Sequence, residues 1–236
     1  MYGEVFCKVY NELGWNYYPE AFGENLLGWI REQDLQVQSA LDLACGTGVL
    51  CRVLREGGIS ASGADLSEGM IAVARAENPD IPFAVADMIT YRPEKSFDLV
   101  TCTGDSLNHI PSLADVEKIF GNVCNALNPG GFFIFDLLNE KEVSTDEPFE
   151  FDFSDTLRVW FQMTRPTDRD VNLKIRVYEK GNLQVEENIK ERLHDPETVC
   201  SLLRRQGFRV ARLSNRLRDR DNPGTTWYII AAKETM

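Results

Sequence analysis

The chain has 236 residues, with 25 Lys and Arg against 37 Asp and Glu, a net charge of −12 at 43% hydrophobic and 26% charged residues. A chain of that length buries roughly 70 to 75% of its unfolded surface, so one large domain, or a domain with a modest insertion, builds its own core without staples. The longest apolar runs, such as Gly131 to Phe135 and Tyr228 to Ala232, fall well short of the about 20 residues of a membrane helix. An acidic chain repels phosphate backbones, which disfavours nucleic acid and favours a small-molecule partner. The N-terminus has no basic segment followed by an apolar one, so no secretory signal is expected. The six cysteines form no CxxC pair and there are only two histidines. Neither a zinc cage nor a disulfide framework is suggested; no metal is expected, and reduced thiols in a cytoplasmic protein are.

Residues 1–37 read as an N-terminal helical flap, in which Phe22, Leu26, Trp29 and Ile30 share one helix face. Short apolar or alternating runs at 40–44, 59–64, 82–86, 97–102 and 132–136 are bounded by Gly, Pro, Asn or Asp and read as strands one to five. Helical stretches lie between them. Val49, Val53 and Leu54 share a face closed by Gly57; Ser67 can cap a helix through Ala76; Ser112 with Asp115 caps another carrying Leu113, Val116, Phe120, Val123 and Leu127. Asn128-Pro129-Gly130-Gly131 is expected to stop that helix. Alternating strands and helices predict an α/β fold, a mostly parallel sheet with helices on both faces. After residue 147 the period changes to two: Val159, Phe161 and Met163, then Val171, Leu173, Ile175 and Val177, then Leu183, Val185 and Ile189 after Gly181-Asn182. Three antiparallel strands over residues 147–193 are expected, packed on the core as a lid or platform. Asp195 with Pro196 opens a further helix carrying Val199, Leu202 and Leu203, and strands near Val210 to Leu213 and Thr226 to Ala232 end the chain across a loop with Asp221-Asn222-Pro223-Gly224. The core is thus expected over 38–146 and 194–236.

Leu41-Asp42-Leu43-Ala44-Cys45-Gly46-Thr47-Gly48-Val49-Leu50 runs from a strand through a glycine turn into a helix. In a parallel sheet such a turn lies at the crevice beyond the strand C-termini, where ligands bind, and glycine lets the backbone approach them. A dinucleotide prefers G-x-G-x-x-G/A, and the third position here is Cys51. With the preceding acid, this run resembles motif I of the class I S-adenosylmethionine-dependent methyltransferases, with Ala44 in place of the usual first glycine. The likeness recurs at Gly63-Ala64-Asp65-Leu66-Ser67, Ala86-Asp87-Met88, Phe97-Asp98-Leu99-Val100 and Leu127-Asn128-Pro129-Gly130-Gly131-Phe132, in order over residues 38–138. It implies a seven-stranded, mostly parallel Rossmann-like sheet whose last strand is antiparallel.

The resemblance implies S-adenosylmethionine as cofactor. Asp65 would hold the ribose hydroxyls, Asp87 and the Met88 amide the adenine, and Thr103 the methionine amino group. Tyr10, Asp42, Ala44, Gly46, Gly48, Leu66 and Met70 complete the cofactor set, with Asp42 ordering the glycine turn. Cys102-Thr103-Gly104-Asp105-Ser106-Leu107-Asn108-His109 is similar to the C-x-G-N-S-x-x-H run of glycine and glycine-sarcosine methyltransferases, with Asp105 where they carry Asn. The Phe6 to Trp15 segment and the insertion look like those of amino-sugar N,N-dimethyltransferases.

An amine acceptor must lose a proton before attack, and His109 or Asp105 could take it. His109 could instead brace the next helix, and Asp105 could bond local backbone. Tyr10, Trp15, Tyr17 and Tyr18 could form an aromatic flap over the sulfonium, with the last three and Trp160 meeting the acceptor, or could seal a core. Arg204, Arg205, Arg209, Arg212, Arg216, Arg218 and Arg220 form a basic cluster, better read as balancing acids than as a nucleic-acid site. The favoured reading is methyl transfer to a small molecule, nitrogen before oxygen, by a monomer or homodimer with no membrane or nucleic-acid partner. A non-catalytic S-adenosylmethionine-binding protein and a nucleic-acid methyltransferase remain as alternatives, the latter disfavoured by the missing [ND]-P-P-[YF] element.

Overall fold

The computed structural model describes residues 3–139, 143, 147–214, 217 and 226–234. Helices α1 (Glu4–Val9) and α2 (Tyr17–Glu32) precede β1 (Ser39–Leu43), α3 (Val49–Glu56), β2 (Ser60–Asp65), α4 (Glu68–Glu77), β3 (Phe83–Val85) and β4 (Phe97–Cys102). A 3-10 turn (Ser106–His109) leads to α5 (Leu113–Ala126) and β5 (Leu127–Leu138). Then come β6 (Phe149–Asp152), β7 (Leu157–Thr164), β8 (Asp170–Glu179), β9 (Asn182–Arg192), α6 (Pro196–Arg205), β10 (Phe208–Ser214) and β11 (Thr226–Lys233).

The helix starts follow the capping residues. Ser67 accepts from the Met70 amide, Ser112 from the Asp115 amide and Asp195 from the Thr198 amide, each satisfying an N–H that the helix itself leaves without a partner. Seven strands form one sheet in the order β10-β11-β5-β4-β1-β2-β3, in which β11 runs antiparallel to both neighbours. Because β1 connects toward β2 on one side and lies against β4 on the other, strand order reverses between β1 and β4. A crevice for ligands opens at such a switch point.

Alternation along the strands splits the core in two. Leu41, Val100, Phe133 and Phe135 face α5 and α6 through Phe120 and Leu203, and the Phe133 and Phe135 rings stack at 4.7 Å. Ala40, Leu99, Ile134 and Ile230 face the other way, against Leu26, Leu50, Leu54 and Ile71 of α2, α3 and α4. The residues expected on the α2 stripe pack into the main core.

The second sheet has four strands, β6-β7-β8-β9, all antiparallel. This corrects the expectation of three. Phe149 and Phe151 alternate with acids as an edge strand would, but they are exposed, so burial does not mark them. Leu183 is also corrected: a register shift at Val177/Tyr178 takes it off the apolar face, and it is exposed. Phe6 and Leu13 pack with Val159, Ile175, Val177, Val185 and Ile189, so the α1 segment is glued to the inserted sheet.

Strand five starts earlier than expected. Leu127 already pairs with Phe97 before a bulge brings Phe132 opposite Leu99. A Cβ on Gly131 would lie 3.0 Å from the Asn128 and Asp98 carbonyls, which requires glycine there. Arg216, Arg218, Arg220 and the Asp221–Gly224 turn fall outside the described residues; Arg205 pairs with Glu117 at 2.8 Å.

Candidate active site

The turn after β1 is built from backbone in the left-handed region: Ala44 has φ 55°, Gly46 53° and Gly48 79°. Glycine adopts this freely, and Ala44 does so at a cost of about 1 to 2 kcal/mol. A Cβ on Gly48 would sit 2.6 Å from the Phe83 ring, whereas one on Gly46 would meet nothing within 4 Å. Gly48 is therefore needed for packing and Gly46 lies under open space. Asp65, at the end of β2, accepts the Gly46 amide on Oδ2 at 2.9 Å and the Ser67 amide on Oδ1 at 2.8 Å. One carboxylate thus ties the turn to the start of α4. Burial raises its pKa and the two amides offset part of that rise.

Asp42 behaves differently from the expectation that it orders the glycine turn. Its Oδ1 accepts from Thr101 Oγ at 2.7 Å, across the β1–β4 register, and burial pushes its carboxyl up to about 7. Asp87, at the end of β3, accepts the Ile89 amide at 2.9 Å, and Met88 packs partly against the core. Met70 is buried under α4, while Leu66 is 50% exposed beside Asp65.

The loop after β4 is held by a residue that the sequence reading passed over. Gly104 (φ 73°) and Asp105 (φ 55°) form two successive left-handed residues, and their amides donate to Asp136 Oδ2 and Oδ1 at 2.9 Å each. Tyr18, from α2, donates its hydroxyl to Asp136 Oδ2 as well. Asp136 lies in β5, in phase with Ile134, fully buried, and burial raises its carboxyl to about 6 against these three donors. The Thr103 carbonyl accepts from Ser106 Oγ at 2.8 Å.

Asp105 is pushed well above the ordinary carboxylate range by burial and by the charges of Asp136 and Glu191. His109, lowered by burial, stands with Nε2 3.8 Å from Glu191 Oε1, a carboxylate from β9 whose side chain is only 9% exposed. Asn108 fixes this turn: its Nδ2 donates to the Arg192 carbonyl at 2.8 Å and its Oδ1 accepts the Leu138 amide at 3.0 Å. His194 Nε2 lies 2.9 Å from the Ile110 carbonyl.

Over this cluster lies Tyr10. Its ring packs on Phe6 and Trp15, with centroids at 5.8 and 5.5 Å, and its hydroxyl pKa rises to about 12 through burial and the charges of Asp65 and Asp105. Asn11 next to it accepts from Thr47 Oγ at 2.8 Å and donates to Glu77 at 2.9 Å. The α1 segment is thus fastened over the glycine turn. The structure brings together Tyr10, Gly46, Asp65, Thr103, Asp105 and His109, with Tyr18 behind Asp136.

Two sequence-derived candidates do not join them. Tyr17 is 76% exposed at the start of α2. Trp160 sits on the outer face of β7, opposite in phase to Val159, with the Arg176 guanidinium 4.7 Å over its ring. A hydrophobic ring paired with a cation on a solvent face explains it without a ligand. Asp136 had a signal, a lone acid inside the apolar run Phe132 to Leu138. Glu191 had a fainter one, an acid in phase with Val185 and Ile189 on the apolar face of β9. No cluster of His, Cys, Asp and Glu suited to a metal ion occurs among the described residues, and no described helix is long and apolar enough to cross a membrane.

The sheet order, the motif turn and the acids at successive strand ends define a class I S-adenosylmethionine-dependent methyltransferase fold. Residues 40–131 match the model of the Methyltransferase domain family. Among curated proteins it is 30% identical over 131 residues, 56% of this chain and 51% of the relative, to the dTDP-3-amino-3,6-dideoxy-alpha-D-glucopyranose N,N-dimethyltransferase of Streptomyces fradiae. It is 31% identical over 115 residues, 46% of each chain, to the ubiquinone biosynthesis O-methyltransferase of Hydrogenovibrio crunogenus. The chain spans about half the length of these relatives. In fold it is similar to DesVI of Streptomyces venezuelae, with a TM-score of 0.81 and 18% identity over 97% of this chain and 98% of that one.

Proposed function

We propose that the chain transfers a methyl group from S-adenosylmethionine to a small-molecule acceptor, an amine nitrogen, by in-line displacement. The observation that carries the choice of nitrogen is the charge of the acceptor side. Asp105 lies within range of the charges of Asp136 and Glu191, and Glu191 stands 3.8 Å from His109, whose pKa burial lowers, a setting that favours an ammonium ion over a hydroxyl. The likeness to an amino-sugar N,N-dimethyltransferase agrees with it. The likeness to a ubiquinone O-methyltransferase supports oxygen as the second reading, in the sequence shared through the cofactor domain.

The residues present fit the cofactor. Each Asp65 oxygen accepts one amide and keeps a lone pair for one ribose hydroxyl. Open space above Gly46 and Gly104 leaves backbone accessible at the ends of β1 and β4, with the Thr103 carbonyl beside it. Asp87 stands at the end of β3 for the adenine. When bound, S-adenosylmethionine supplies a sulfonium methyl whose leaving group is a neutral thioether.

No acid is needed for that departure, so these residues mainly position and exclude water. Alignment of the reacting atoms can supply roughly 7 to 11 kcal/mol of the barrier. Tyr10 and the α1 segment cover the crevice, and the ring face offers cation–π attraction of about 0.5 to 2 kcal/mol. His109 and Asp105 face the acceptor from the loop after β4.

The test is calorimetric titration with S-adenosylmethionine, S-adenosylhomocysteine and NAD, followed by an acceptor screen that reads S-adenosylhomocysteine release, amines first. Micromolar binding of the first two and turnover with an amine support the reading. Binding of NAD alone, or turnover confined to hydroxyl acceptors, overturns it.

A further inference from the structure

We propose that Glu191, supplied by the inserted sheet, is the residue that receives the acceptor's ammonium group and takes its proton. The inference rests on the methyltransferase reading above and names the charge its acceptor must carry. Glu191 lies near the end of β9 opposite Val171 of β8, a buried residue. It shares the inward face with Val185 and Ile189, which bury against Phe6 and Leu13. An acid in that phase costs free energy unless something compensates its charge.

Nothing among the described residues does so. The side chain is only 9% exposed, and the nearest cationic candidate is His109 Nε2 at 3.8 Å, beyond hydrogen-bond range. His109 is itself shifted toward the neutral form by burial. No hydrogen bond from the described residues reaches either Glu191 oxygen, and burial alone lifts its carboxyl to about 7. By contrast, the neighbouring Arg192 is committed to Asp170 at 2.7 Å, and Glu187, on the same face, accepts the Gly3 amide at 2.7 Å.

The groups that face Glu191 come from three other elements. They are His109 on the 3-10 turn, and Asp105 on the loop after β4 with Asp136 of β5 behind it. Apart from His109 they are acids, and none can neutralise a carboxylate. A buried, uncompensated carboxylate is a receptor for a cation that the protein does not itself contain. The backbone beside it is fixed by Asn108, which bonds the Arg192 carbonyl one residue on and the Leu138 amide of β5.

The step balances. The acceptor enters as an ammonium ion; one N–H proton passes to the Glu191 carboxylate, leaving a neutral amine with its lone pair free. That pair forms the N–CH3 bond while the S–CH3 pair returns to sulfur, and the positive charge passes from sulfonium to the methylated nitrogen. Glu191 then gives its proton up to solvent when the product leaves the site. A carboxyl near 7 suits a base that must be ionised at neutral pH and still accept a proton.

The probe is cyclohexylammonium, a ring bearing one ammonium, with cyclohexanol as its uncharged counterpart, each titrated by calorimetry into the S-adenosylhomocysteine complex of the full chain. The wild type should bind the ammonium at least about tenfold more tightly than the alcohol, the size expected for one charge-assisted contact. Glu191→Gln should abolish that preference while S-adenosylhomocysteine binds within about twofold of wild type. No preference in the wild type, or a preference that survives Glu191→Gln, overturns the inference. Failure of S-adenosylhomocysteine to bind the wild type would instead overturn the methyltransferase reading on which it stands.

Discussion

Replacing Asp65 separates the carboxylate's two tasks. Both its oxygens accept backbone amides, Gly46 at 2.9 Å and Ser67 at 2.8 Å, and the remaining lone pairs are those assigned to the ribose. Asp65→Ala removes two charge-assisted bonds to the turn, each worth about 1.5 to 3 kcal/mol. It also releases the burial penalty that raises the carboxyl's pKa, so the net loss of folding stability is about 1 to 2 kcal/mol. For a domain of this size that is a Tm fall of about 2 to 8 °C. Cofactor affinity falls further, because the ribose loses its acceptors and the turn its anchor: at least about 2 kcal/mol, or about 30-fold in Kd. Asp65→Asn keeps one oxygen and sets an amide N–H2 against a backbone donor, giving an intermediate loss. Calorimetry with S-adenosylhomocysteine gives the affinities and scanning calorimetry the stabilities. An unchanged Kd in Asp65→Ala would refute the ribose assignment, and a Kd loss no larger than the stability loss would mean Asp65 only holds the turn.

Ala44→Gly relieves a left-handed φ of 55° and should raise stability by about 0.5 to 1 kcal/mol, the steric gain less the entropy of an added glycine; urea unfolding showing a loss would contradict the strain. Tyr18→Phe removes a hydroxyl donor from buried Asp136 and should cost about 1 to 3 kcal/mol, with the Asp136 carboxyl moving higher still. Stability should also decline as pH rises. Asp136 and Asp42, ordinarily near 3.8, are held at about 6 and about 7 by burial, and Asp105 and Glu191 are raised as well. From about pH 4 to 7 the folded chain therefore keeps protons that the unfolded chain has lost, and the slope of stability against pH is negative. At about 1.4 kcal/mol per unit, Asp136 alone contributes about 3 kcal/mol to that decline. His109 and His194, both lowered by burial, oppose it up to the ordinary histidine pKa of about 6.5. Urea midpoints at about pH 5.5 and about pH 8 in constant salt check the sign, and a higher midpoint at the alkaline value would refute it.

The strands and caps were legible because each rests on a local rule. Ser67, Ser112 and Asp195 precede apolar stripes, and the strand-ending acids Asp65 and Asp87 follow runs too short and too β-branched or small for helices. What escaped the sequence depends on pairing across the fold. Asp42 looks like part of the glycine turn, but side chains alternate along β1, and its carboxylate faces Thr101 of β4 rather than the turn. Trp160 looks like a substrate platform until the register sets it opposite Arg176 on the solvent face. Glu191 is surrounded in sequence by Asn188, Lys190 and Arg192, the composition of a solvated strand, and only its phase with Ile189 distinguishes it.

The division of labour follows from how the elements are fastened. The strand-end residues Asp65, Asp87 and Asp136 are anchored by backbone amides of their own or adjacent loops, so their geometry is set by the sheet. Tyr10 and Glu191 reach the crevice from α1 and β9, and these two pack on each other through Phe6, Leu13, Val185 and Ile189. Their tie to the core is both apolar, through Leu138 of β5 packed with Val171, Leu193 and Met163, and polar, through Asn11 to Thr47 and Glu77 and Asn108 to Arg192. An apolar seam is non-directional and resists being pulled open in water, whereas a few hydrogen bonds exchange with solvent at a net cost of about 1 kcal/mol each. The α1 segment and the inserted sheet therefore form one packed body that meets the cofactor domain through both apolar and polar contacts. Substitutions on that body can retune the acceptor while the strand-end acids, and the cofactor geometry they define, stay as they are.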